Sequence, residues 1–155
     1  MSIFAVCLLC FVFIYGLKEG PAKNANALIA HLIAIPLAGI SYDHLASVFS
    51  FLSGDNWDNF AGFFVAKYSI ILILYLVFIF LSRRYIKKVQ KKGIIIRLSG
   101  GVVSALNSSI GMVTVFLVVT AYPMSGWFGR QILGSSVLDW LATNLSFVKA
   151  MLPFD

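Results

Sequence analysis

A helix needs roughly 20 consecutive apolar residues to cross the hydrocarbon core of a bilayer, and this chain offers four such stretches, at about residues 2–17, 24–42, 60–81 and 98–122. Nothing else in the sequence constrains the fold as strongly. In hydrocarbon every backbone N–H and C=O must be satisfied within its own segment, so each stretch has to be helical. The composition agrees: of 155 residues, 60% are hydrophobic and 12% charged, about half the charge of a typical soluble domain. The expectation is an all-α integral membrane protein with four transmembrane helices, a single membrane domain over residues 1–155.

The first stretch lacks a basic start and a small-residue cleavage site, so it reads as a membrane helix and not as a signal peptide. Gly20-Pro21 breaks it, and Pro36 predicts a kink in the second. Residues 43–59 carry three acids and no Lys or Arg, with Leu45, Val48, Phe49 and Leu52 at helical spacing. They predict an outer-surface loop helix, ended by Ser53-Gly54-Asp55-Asn56. Asp58 or Asn59 is placed to cap the third stretch, and Trp57 suits the aromatic belt. That third helix is apolar on nearly every side, so it should face lipid, with Lys67 snorkelling to the nearer surface. Gly93 is the expected stop of any continuation. In the fourth stretch Ser104, Asn107, Ser108 and Gly111 recur at three- and four-residue steps, a stripe expected to face protein. In the tail, at about residues 124–153, Ser136 and Asp139 form a capping box ahead of Leu141, Leu145, Val148 and Leu152. This predicts a C-terminal amphipathic helix in the membrane interface.

A net charge of +6 in a soluble domain would suggest nucleic acid. Here six of the twelve basic residues, Arg83, Arg84, Lys87, Lys88, Lys91 and Lys92, follow directly after an apolar run. That is a topology signal, which puts the first and third loops in the cytoplasm and both termini outside. The same cluster can also dock anionic lipid or an acidic partner. The partner expected throughout is the lipid bilayer, with no nucleic acid. Cys7 and Cys10 have no His or acidic neighbours to complete a metal site and read as packing residues.

His31, Ser104, Asn107 and Ser108 form the candidate intramembrane polar seam. His31 is either a proton- or substrate-responsive group facing Asn107 or Ser104, or a neutral imidazole hydrogen-bonded between helices. The Asn and Ser residues line a permeation path or let two helices approach closely. Gly16 and Gly20 read as a turn more than as a helix-pairing face, because Pro21 follows at once. Tyr42 reads as a belt residue, and Asp43 and His44 as solvated interface groups. No G-x-S-x-G, no H-E-x-x-H and no paired buried carboxylates occur, so neither catalysis, nor a metal, nor a cofactor is expected.

Four local patterns then carry a resemblance: Gly16-Leu17-Lys18-Glu19-Gly20 closing the first stretch, Ala38-Gly39-Ile40-Ser41-Tyr42-Asp43-His44-Leu45-Ala46 closing the second, Asn59-Phe60-Ala61-Gly62-Phe63 opening the third, and Arg97-Leu98-Ser99-Gly100-Gly101 opening the fourth. Together they resemble the CvpA family, named for colicin V production, over about residues 3–122. The family-like positions are Gly16, Gly20, Gly39, Tyr42, Arg97, Gly100 and Gly101. The chain departs from the family pattern at Ser104, at Asn107-Ser108 and at Ile96. The resemblance implies a bacterial inner-membrane protein linked to colicin V export and envelope maintenance, with no catalytic chemistry to transfer. The leading expectation is an accessory or scaffold protein, in a homo-oligomer or with other envelope membrane proteins. The alternative is a small oligomeric transporter or channel with a polar path around His31 and Asn107.

Overall fold

The computed structural model describes residues 1–51, 56–82, 93–123 and 126–152. Its helices are α1 (Ser2–Glu19), α2 (Pro21–Val48), α3 (Trp57–Ser82), α4 (Ile94–Ala121), α5 (Trp127–Leu133), α6 (Ser136–Asn144) and α7 (Phe147–Ala150). The first four are long and apolar enough to cross a membrane. The chain is thus a helical, multi-pass membrane protein. Expectations that rest on Leu52, on Ser53 to Asp55, on the basic cluster from Arg83 to Lys92 and on residue 153 lie outside the described residues.

The long helices pack in the order α3, α2, α4, α1. Although one residue joins α1 to α2, these two barely touch, because α4 lies between them. Gly20 makes this turn at φ +83°, a left-handed conformation that costs glycine little, and Pro21 starts α2 where its missing N–H is not needed. Gly16 is not part of that turn but sits inside α1, buried against α4. A Cβ on Gly16 would lie 2.5 Å from Ser104 Cβ and 2.7 Å from the Gly100 carbonyl oxygen, and one on Gly100 would lie 2.6 Å from the Gly16 carbonyl oxygen. Helices lacking a hydrophobic drive to associate in lipid gain their contact from such close backbone approach. On the other flank Gly62 of α3 meets the backbone of Ala46 of α2, where a Cβ would come within 2.6 Å of the Ala46 nitrogen.

That contact corrects the expected loop helix. Asp43 to Val48 are the last turns of α2, not a separate surface element, since no breaker intervenes and Ala46 is buried under α3. The third helix begins at Trp57, so Asp58 lies in its first turn, its Oδ1 accepting the Asn59 N–H at 2.8 Å. Gly93 is the extended N-cap of α4, which makes Arg97 helical; the continuation it was expected to stop lies outside the described residues. Pro36 is inside α2. The tail is three short helices, not one. Its apolar side chains Leu138, Leu141, Val148 and Leu152 are buried in the protein core, with α6 resting on α4 and α1. The predicted capping box does not form: Ser135 is the N-cap of α6, and its hydroxyl lies 3.1 Å from that of Ser2. Cys7 and Cys10 do not pack inside the bundle; both are free and exposed on α1.

Gly16→Val should separate α1 from α4 and lower stability by about 1–3 kcal/mol, as overpacking does. Thermal unfolding in detergent measures it, with Gly93→Ser, which keeps an N-cap residue where a Cβ meets nothing within 4 Å, expected to be at least as stable as wild type.

Candidate functional site

Polar side chains inside the four-helix unit are few, and the α2–α4 seam gathers most of them. These two helices run parallel, so residues spaced alike on each meet in register. Asn24 reaches Gly100 and, two turns further, His31 reaches Asn107, both 76 positions on in sequence. At the far end the hydroxyls of Tyr42 and Tyr122 are hydrogen-bonded and their ring centres lie 5.8 Å apart. Tyr42 is therefore an inter-helix residue and not simply a belt residue.

Asn24 was not singled out in the sequence, yet it is the hub of the near end. It is 6% exposed. Its amide nitrogen donates toward the carbonyls of Gly20 at 3.0 Å, Gly100 at 3.1 Å and Gly16 at 3.4 Å. One side chain thus ties three helices at the point where the glycines let them converge. The available signal was an amide in the first turn after Gly-Pro, four residues beyond Gly20, where a side chain can reach back to the preceding turn.

His31 Nδ1 lies 3.0 Å from Asn107 Oδ1. The amide oxygen accepts, so Nδ1–H donates and Nε2 of a neutral ring is left as an acceptor. That Nε2 is buried and has no hydrogen-bond partner among the described residues. Gly111, one turn beyond Asn107, makes room for the imidazole: a Cβ there would meet His31 Cε1 at 3.1 Å. Ser104 is buried against Gly16 and serves the α1–α4 approach, while Ser108 is half-buried. The four seam candidates thus divide. His31 and Asn107 are bonded, Ser104 faces the other helix pair, and Ser108 has no described role.

Lys67 departs most from expectation. It does not snorkel: only 1% of it is exposed, in mid-helix about 15 Å from the start of α3 at 1.5 Å per residue. Its Nζ lies 5.2 Å from the centre of the Phe64 ring and 5.5 Å from that of Tyr68, within the distance at which a ring face attracts a cation. It forms no ion pair among the described residues. An ionisable residue buried at this depth is costly and marks function by default. Asp43 and His44 are exposed, and no group of three metal-ligating side chains occurs among the described residues. Arg97 and Lys18 line one cleft at the end where the glycines of α1 and α4 cross.

In a double-mutant cycle, His31→Leu and Asn107→Leu should couple by about 0.5–1.5 kcal/mol in detergent unfolding. Asn24→Ala should cost about 1–2 kcal/mol by leaving carbonyls without their shared donor.

The family model described as colicin V production protein matches residues 1–146. No curated protein and no solved structure matches the chain.

Proposed function

We propose that this chain, which belongs to the colicin V production protein family, is a non-enzymatic accessory protein that acts by assembly, holding envelope export components together in the bacterial inner membrane. Both termini face the periplasm in this reading, because the Lys and Arg residues cluster in the first and third loops. The observation that supports it best is where the polar side chains go. Asn24, Asn107 and Tyr122 are engaged in bonds between helices, and Ser104 in a helix contact. These residues fix one arrangement of helices, as a scaffold requires. Around it, α1 and α3 turn outward side chains such as Phe4, Phe11, Leu72 and Phe80, which are strongly exposed and available to lipid, to a second copy or to another membrane protein.

A second reading, transport, draws on two observations: the unpartnered Nε2 of His31 and the buried Lys67. Both are ionisable groups held inside the membrane part, as proton and ion pathways require. In an oligomer they would line a polar path together with Asn107.

Two measurements separate the readings. Crosslinking in native membranes followed by purification should recover the chain with other envelope proteins or with itself, and a consistently solitary chain removes the scaffold reading. Reconstituted vesicles should show no solute or ion flux, whereas flux abolished by Asn107→Leu or Lys67→Met establishes transport instead.

A further inference from the structure

At the end where Gly16 crosses Gly100, α1 and α4 leave an open cleft of about 580 Å³ lined by Ile14, Leu17, Lys18, Ile94, Arg97 and Leu98. Its size falls within the range of small-molecule sites. The lining has two parts. Ile14, Leu17, Ile94 and Leu98 are apolar, and Ile14, Ile94 and Leu98 are well exposed, so the cleft floor stays greasy and open. Lys18 and Arg97 supply two cations, one from each helix.

Neither cation is neutralised by the protein among the described residues. The acid beside Lys18, Glu19, is engaged by Lys23, and neither Lys18 nor Arg97 forms an ion pair. Lys18 is in the last turn of α1 and Arg97 in the first turn of α4. Both therefore stand where a crossing helix meets the headgroup layer, with apolar side chains one turn deeper on α1. The guanidinium of Arg97 can grip two oxygens of a phosphate at once, and the ammonium of Lys18 adds a second charge.

We propose that this cleft is a binding site for an anionic phospholipid, its phosphate held between Lys18 and Arg97 and one acyl chain laid along Ile14, Leu17 and Leu98. Charge complementarity selects the anionic headgroup, and the apolar floor selects a lipid over a free anion. Its two cations come from α1 and α4 and are not among residues 83–92. Its effect would be to staple the α1–α4 crossing from the lipid side.

The test is titration of phosphatidylglycerol into the full-length protein in neutral detergent, read by native mass spectrometry. Phosphatidylcholine and inorganic phosphate serve as comparison ligands. Wild type should bind phosphatidylglycerol in preference to phosphatidylcholine, and inorganic phosphate should not displace it. The double variant Lys18→Gln, Arg97→Gln should weaken phosphatidylglycerol binding roughly 30-fold, each surface cation contributing about fivefold. The control Arg130→Gln, Lys149→Gln removes the same charge elsewhere and should change binding less than threefold. Ile14→Trp, which fills the cleft one turn deeper than Lys18 with both cations in place, should also weaken it. The proposal falls if the Lys18, Arg97 variant binds as wild type, if the control loses as much, if Ile14→Trp changes nothing, or if inorganic phosphate displaces the lipid.

Discussion

Three backbone carbonyls sharing one amide, where α1, α2 and α4 converge, is the arrangement on which the rest of the molecule depends. Lipid tails are as apolar as leucine, so no hydrophobic gain pulls one membrane helix onto another. Association needs close approach and polar bonds, and both occur at the same place here. Gly16 and Gly100 bring the backbones into contact, and Asn24 takes up the carbonyls this exposes. With α4 wedged there, α1 and α2 are forced apart, and the order of helices across the protein follows.

From that end the α2–α4 pairing continues in register, which puts His31 on Asn107 and Tyr42 on Tyr122. The seam is a chain of hydrogen bonds between helices, each of modest strength in a membrane. Against it stand two groups without such a role: Nε2 of His31 and the side-chain nitrogen of Lys67. The rings of Phe64 and Tyr68 compensate the lysine in part. The protein thus combines a fully bonded framework with two polar atoms whose cost the framework carries.

Much of the architecture was legible because length and hydropathy decide what a bilayer admits. The Gly20-Pro21 break and the protein-facing stripe on α4 could be read from residue chemistry alone. Other features could not, because they depend on which helices become neighbours. Lys67 looks like an end-seeking cation on an apolar helix until α2 is known to cover it. Asn24 looks like an ordinary early-turn residue until Gly100 is placed beside it, 76 positions away. The tail pattern is amphipathic in either setting, and only the core formed by Leu138, Leu141 and Val148 with α4 shows that protein covers its apolar side. The extent of α2 escaped for a similar reason: polar Asp43 and His44 suggested an ending, but the helix continues because Ala46 packs beneath Gly62.

The register of α2 against α4 also bears on how the chain is made. His31 and Asn107 are separated by 76 positions, so at a ribosome's pace of about 5–20 residues per second the second helix waits roughly 4 to 15 s for its partner. Once Gly62 has been made, 31 positions after His31, α2 has α3 to lean on at Ala46, but its amide and imidazole still have no fourth helix to meet. Until the last crossing arrives, the nascent chain holds polar side chains in the membrane without the partners that α4 supplies, and that arrival is what satisfies them.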